Sequence, residues 1–395
     1  MLCNTKVGFP VFDSVESQFD SNEFILCGGG GSARSGVFNR VLRCTLGPRP
    51  DGIPGVSLVT LNSYDTGSQI ATSCCFLSPT EICFALDKEL VVCSASSSSS
   101  ADEGGGYVER NRVVVGELVE VVRSFNSQLF VGTELGSLVV YDLGLQVLYH
   151  TRLHFKPVVD LTFTPAFCAS CSADGTIRIW DLQNHMTTAA ILPAREGMTF
   201  REAKFLPGNR LLALQVPKSR KGSCFASMFA RRTSNSGGEF VLDQMHAVSP
   251  SLATGLAANQ RFVAVGSADA TTLFHTETFA PVNQANKVHG LPVTGLFFRG
   301  GHLVSTSADA TAAMISVDLF ASPARTGLGW LRMCLTVLVS LVLFVGGLLL
   351  IVLVAKGADG TQPKLALDVS LPIDLHRVTT QQLQVAIHNL MLTLT

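Results

Sequence analysis

Short apolar runs broken by glycine, serine and Asp-Gly turns recur along most of the chain. Glu23-Phe-Ile-Leu-Cys27, Ile82-Cys83-Phe84 and Val158-Val159-Asp160-Leu161-Thr162-Phe163 are typical. Rich in β-branched and aromatic residues and bounded by turn formers, they predict strands rather than helices. Leu335 to Val354 breaks the pattern, being 20 residues without a charge. At about 1.5 Å per residue such a helix reaches roughly 30 Å, the thickness of a bilayer's hydrocarbon core. A core helix this long would carry a polar face. Trp330 and Arg332 on one side and Lys356 on the other suit interfacial anchors. The run therefore predicts a membrane-spanning helix.

The strands repeat. His154-x-x-x-Val158 leads, through Ala169-Ser170-Cys171-Ser172-Ala173-Asp174-Gly175, to Thr176-Ile177-Arg178-Ile179-Trp180-Asp181. This resembles the WD repeat. His289-x-x-x-Val293 and Ser307-Ala308-Asp309 form a second copy, with Ile315 in the place of Trp180. Both offsets (289 − 154 and 309 − 174) are 135, or three repeats of about 45 residues, a propeller-blade spacing. Gly132-Thr133 to Tyr141-Asp142 and Gly266-Ser267-Ala268-Asp269 are partial copies. In WD repeats the His, the Ser or Thr, the turn Asp and the Trp form a hydrogen-bonded lock. His154, Asp174 and Trp180 are assigned to one, in preference to a catalytic His-Asp pair.

The expected fold is all-β: a seven-bladed WD-repeat propeller over residues 1–325, a transmembrane helix over 330–355 and a short tail over 356–395. Strand clusters place the blades at about 20–62, 66–115, 116–151, 152–192, 194–235, 238–284 and 286–319, with a strand near Val7 to Phe12 closing the last one. Ser94 to Gly106 reads as a Ser/Gly-rich loop, and Lys218 through Arg232 as a basic one.

Composition narrows the function. Net charge is −1 and charged residues make up 15% of the chain, so no basic field invites nucleic acid. Cys74-Cys75 and Cys168-x-x-Cys171 lack a second pair at zinc spacing. The 11 cysteines read mainly as buried structural thiols in a reducing compartment. Met1 to Asp20 holds no apolar core of signal-peptide length. The basic residues flanking the span are balanced, so orientation rests on the thiols and the absent signal. Both favour a cytosolic N-terminal domain and a lumenal tail.

Four glycines follow a strand in Cys27-Gly28-Gly29-Gly30-Gly31-Ser32-Ala33-Arg34-Ser35-Gly36-Val37-Phe38-Asn39. Such a run costs backbone entropy and offers nothing to a core. Gly31 and Gly36 have Walker A spacing, but Val37-Phe38 replace the Lys and hydroxyl. Gly28-x-Gly30-x-x-Ala33 fits a dinucleotide fingerprint, but Val41-Leu-Arg-Cys-Thr-Leu46 reads as a return strand, not a helix. A bland glycine-rich hairpin connection stays open.

In register, Gly28, Gly29, Gly30, Gly31, Gly36, Val37 and Asn39 match a Gly-Gly-Gly-Gly-x-x-x-x-Gly-Ile/Val-x-Asn segment in the first blade of a WD propeller with a C-terminal membrane anchor. The chain thereby resembles the endoplasmic-reticulum exchange factors for the Sar-type small GTPase, the prolactin regulatory element-binding protein family. Phe38 stands where proline is frequent in that family, and Ser32 where some members carry an acid. The resemblance implies a regulatory protein without covalent chemistry. It would promote GDP-to-GTP exchange on the Sar-type GTPase at the endoplasmic-reticulum membrane and so start COPII coat assembly. It further implies that main-chain carbonyls of Gly28, Gly29, Gly30 and Gly31 hold a potassium ion. Gly36, Val37, Phe38 and Asn39 would form the GTPase-contacting loop, with Arg34 a polar contact and Asn39 either shaping the loop or facing the partner. The alternative is a membrane-anchored scaffold without exchange activity.

Overall fold

The computed structural model describes residues 2–32, 36–49, 55–96, 106–234 and 237–317. They form seven four-stranded antiparallel sheets, each one blade of a propeller. Blade one comprises Val11–Glu16, Glu23–Gly28, Arg40–Pro48 and Val56–Asp65; blade two Ala71–Phe76, Glu81–Leu86, Glu89–Ala95 and Tyr107–Val114; blade three Val119–Phe125, Gln128–Thr133, Ser137–Asp142 and Val147–Arg152. Blade four comprises Val158–Phe163, Phe167–Ser172, Thr176–Asp181 and Thr187–Pro193; blade five Met198–Leu206, Arg210–Pro217, Cys224–Ser234 and Gly237–Ser249; blade six Ala253–Ala258, Phe262–Ser267, Ala270–His275 and Pro281–Asn286. Blade seven joins Val293–Arg299, His302–Ser307 and Thr311–Ser316 to Leu2–Lys6, which pairs with Thr311–Ser316 from the far end of the described chain. The first-named strand of every blade lines the centre, where neighbouring blades meet.

The closing strand is therefore Leu2–Lys6, while Val11–Glu16 is the innermost strand of blade one. The sequence reading placed the closing strand near Val7 to Phe12. Its alternation misled because Phe9, inside the 7–10 connection, is buried like the strand residue Val11. Lys218 through Arg232 is not one loop: only 218–223 turns, and Cys224–Ser234 is a strand whose Ala226 and Met228 enter the core. Gly237–Ser249 belongs to blade five, so that blade runs well past residue 235. The expected membrane span and tail lie outside the described residues, as does most of Ser94 to Gly106. Among the described residues no helix is long and apolar enough to cross a membrane.

All seven innermost strands slip register at the same point, after Val11, Ala71, Val119, Val158, Phe200, Ala253 and Val293. These bulges turn the extra residues, Phe12, Thr72, Glu120, Val159, Arg201, Thr254 and Thr294, toward a central cavity of about 390 Å³. Just beyond the bulge, side chains stitch blade to blade. Cys74 N donates to Asp13 Oδ2 at 3.1 Å, Val122 N to Ser73 Oγ at 3.0 Å, Ala203 N to Asp160 Oδ2 at 3.0 Å and Leu256 N to Glu202 Oε2 at 2.7 Å. Each satisfies a backbone N–H that the bulge or the blade boundary strips of a ladder partner.

Candidate functional site

Loops leave the propeller on two faces. Connections between blades, and between the second and third strand of each blade, share one face; the remaining connections share the other. The glycine run lies on the first face, between the second and third strands of blade one. Gly28 ends its strand opposite Arg40. A Cβ on Gly28 would sit 2.0 Å from the Pro10 carbonyl oxygen, so only glycine lets the neighbouring backbone come this close. Gly29 N donates to that same oxygen at 3.0 Å. Gly29 and Gly31 have positive φ of 154° and 83°, which turns the chain out of the sheet.

Asn39 fastens the base. Its Oδ1 accepts from Gly31 N at 2.9 Å, and its Nδ2 donates to Gly31 O at 2.6 Å and to Gly67 O at 2.7 Å, the last in the loop leading to blade two. Its own carbonyl accepts from Thr66 N at 3.0 Å. At 2% exposure Asn39 shapes the loop from within. Val37 is half-buried and packs on the cluster around Phe9, Val11 and Leu26. Gly36 is exposed, with a φ of 70° and open space around it. Phe38 is 59% exposed, with the Arg40 guanidinium 4.5 Å from its ring centre. Of the four residues expected to meet a partner, Gly36 and Phe38 face outward, and Val37 and Asn39 hold them there. Arg34 lies outside the described residues. The Gly31 carbonyl, one of four expected to hold potassium, already accepts the Asn39 amide.

The same face carries a second apolar group. Phe155 is 88% exposed, and its N–H is pinned to Asp174 Oδ2 at 3.1 Å. Exposed Leu153 and Leu135 flank it, and the Leu135 carbonyl accepts from Arg152 Nε at 3.0 Å. Nothing in the residue pattern singled this group out; its one signal was an aromatic next to the repeat's histidine.

His154 contacts Asp174 Oδ2 through Nδ1 at 3.0 Å and Ser170 Oγ through Nε2 at 2.8 Å. That order mimics a Ser-His-Asp triad. Here Ser170 Oγ also accepts from Trp180 Nε1 at 2.9 Å, and all of Ser170, His154 and Trp180 are buried. A nucleophile so sealed meets no substrate, so the constellation is the expected blade lock. Burial holds His154 below its usual pKa, partly offset by Asp174, which keeps the ring neutral. Blade seven repeats the lock with His289, Ser305 and Thr311, at 2.8 and 2.7 Å from the ring.

The ten cysteines of the described residues are all buried and unpaired by disulfides. Burial pushes the Cys44 thiol up to about 12, beyond reach as a nucleophile. Asp13, Cys27 and Cys74 bring three potential ligand atoms within 4.8 Å of one another. Yet Asp13 is committed to Arg123, at 2.8 Å, and to Ser73, at 2.7 Å, which leaves no carboxylate for a metal.

Solved structures agree on the fold. The chain is similar to Sqt1 from Chaetomium thermophilum, with 13% identity over 80% of this chain and 100% of that one and a TM-score of 0.57. It is equally similar to the WD40 propeller domain of Doa1, with 11% identity, 80% and 95% coverage and a TM-score of 0.57. A second Sqt1 structure, bound to the N-terminus of the ribosomal protein L10, matches at 13% identity, 78% and 97% coverage and a TM-score of 0.56. No protein-family model matches the sequence, and no curated protein is similar to it in sequence. The seven blades and these neighbours together define a seven-bladed WD40-type β-propeller.

Proposed function

We propose that this propeller is a guanine-nucleotide exchange factor for a Sar-type small GTPase, held at the endoplasmic-reticulum membrane with its propeller in the cytosol. There it would start COPII coat assembly. One observation carries the reading: the glycine run is fastened at its base by Asn39, and Phe38 stands exposed beside that fastening. A contact residue whose neighbour is already fastened loses less entropy on binding. Exchange needs no covalent step. The factor must only bind the nucleotide-free GTPase better than the nucleotide-bound form.

Potassium belongs to the same proposal. Carbonyl oxygens replace the ion's hydration shell, and the ion would draw on the carbonyls of Gly28, Gly29, Gly30 and Gly31, a run in which Gly29 and Gly31 have positive φ. Because the Gly31 oxygen shares itself with Asn39, the ion would draw on the run unevenly. A scaffold without exchange activity is the second reading. Phe155 favours it, because it offers a docking anchor that exchange does not require.

The test is differential capture. Full-length protein should retain nucleotide-free Sar-type GTPase and release it when GDP or GTP is added. Equal retention of all three forms would support the scaffold and remove exchange.

A further inference from the structure

The face opposite the glycine loop has a composition of its own. Phe19 is 45% exposed in the loop after the innermost strand of blade one. It shares a surface depression with Leu77 and Leu143, and Gln18 Nε2 donates to Ser124 Oγ at 3.2 Å across the blades. A second depression meets the first at Asn126 and extends the apolar band to Leu148, 52% exposed, and Met186. The described loops on this side of blades one to four include 17–22, 49, 77–80, 126–127, 143–146, 164–166 and 182–186, and carry two formal charges, Asp20 and Arg49; blade six adds Arg261 and Glu277. Asp142 and Asp181 border the band but accept from Gln146 N at 2.8 Å and Gln183 N at 2.9 Å, closing their own turns. The glycine-loop face differs: its described loops carry Lys88, Glu117, Glu134, Lys156, Arg195, Glu196, Lys218 and Lys221.

The Phe19 loop is held, not loose. Arg299 Nη2 donates to the carbonyls of Asp20 and Glu23, each at 2.9 Å, and Ser17 Oγ accepts from Phe19 N at 3.1 Å. The chain also leaves the propeller on this side. Thr311–Ser316 is the third strand of blade seven and runs toward this face, where Val317 N donates to Gly301 O at 2.9 Å. Residues 318–334 then separate Val317 from the charge-free Leu335–Val354. Seventeen residues span at most roughly 60 Å even when fully extended.

We propose that the Phe19–Leu143–Leu148 band is a membrane-docking surface that rests on the lipid interface, with the glycine loop pointing into the cytosol. The proposal depends on the anchor assigned to Leu335–Val354. Its occupant is the bilayer interface. Aromatic and aliphatic side chains on a surface with few charges partition there, and the described chain ends on this side of the propeller, at Val317. Docking would fix the height and tilt at which the opposite face meets a partner.

The test uses the full chain reconstituted in phosphatidylcholine vesicles whose acyl chains carry bromine, a short-range quencher of tryptophan fluorescence. F19W and L148W should be quenched more than the parent chain, while F155W should match the parent. F19D combined with L143D should abolish the extra quenching of L148W without changing the melting temperature. If F19W is quenched no more than F155W in protein that resists carbonate extraction, docking is wrong and the anchor stands. If F155W is quenched instead, the opposite face docks and the proposal falls. If carbonate extracts the chain, the anchor is wrong and docking falls with it.

Discussion

Asn39 and Gly31 hydrogen-bond to each other in both directions. The Asn39 side-chain oxygen accepts the Gly31 N–H at 2.9 Å while its amide nitrogen donates to the Gly31 carbonyl at 2.6 Å. A side chain here stands in for a strand partner. It ties the outgoing limb of the glycine loop to the returning one before the sheet resumes at Arg40. Gly29 must be glycine for the same reason, since a Cβ there would lie 2.0 Å from Asn39 Oδ1.

Asn39→Ala should therefore act on stability as well as on binding. It leaves the Gly31 N–H and the Gly31 and Gly67 carbonyls without their partner in a partly buried setting. The loss should be about 1–3 kcal/mol, read as a lower denaturant midpoint of the full chain.

Phe38→Asp should behave in the opposite way. Phe38 is exposed and its side chain holds up nothing but the Arg40 stacking contact. Stability should stay within about 0.5 kcal/mol of the parent, while capture of the nucleotide-free GTPase is lost. A matching fall in the denaturant midpoint would make Phe38 a structural residue.

A partly buried ion pair on the wall of the central cavity couples separate blades. Arg123 Nη1 lies 2.8 Å from Asp13 Oδ2, joining blade three to blade one across blade two. Burial pushes the Asp13 carboxyl up, but Arg123, Ser73 and the Cys74 N–H together hold it below its usual value. Asp13→Ala would leave the guanidinium without its carboxylate and should cost about 1–3 kcal/mol. Asp13→Leu with Arg123→Met should recover much of it. Equilibrium unfolding of the single and double variants checks both.

Acid should weaken the blade locks. Burial keeps His154 and His289 below the ordinary histidine pKa, so the unfolded chain binds more protons than the folded one. Their contribution is intact above the unfolded value of about 6.5 and is lost as pH falls toward the depressed folded values. The Glu202 and Glu16 carboxyls beside the central cavity, raised by desolvation, act in the opposite sense. The comparison that isolates the histidine is His154→Gln against the parent. Between pH 7 and pH 5 the variant's melting temperature should fall less steeply. Parallel slopes would remove His154 as the titrating group.

The repeat was the legible part of the fold. His154, Asp174, Gly175 and Trp180 lie within one blade, so short-range spacing exposes them, and the 135-residue echo at His289 and Asp309 gave the blade length. Features that depend on distant partners were hidden. Leu2–Lys6 pairs with Thr311–Ser316, which no local pattern reveals. Asp13 and Arg123 are 110 residues apart and look like ordinary surface charges in sequence. Cys224–Ser234 carries arginines and a hydroxyl-rich end because it outgrows its blade, and that composition imitates a loop. At the candidate site, the outward position of Gly36 and Phe38 was legible because four glycines serve no core. The inward position of Asn39 was not, because burial of one amide depends on Gly67 in the next loop.

The release rate of GDP from a purified Sar-type GTPase tests the central claim most directly, measured with full-length protein in vesicles. The account predicts that the parent accelerates release at least tenfold, which is about 1.4 kcal/mol off the barrier, and that Phe38→Asp abolishes the acceleration while the propeller stays folded. Release at the uncatalysed rate with the parent, or undiminished acceleration with Phe38→Asp, would contradict it.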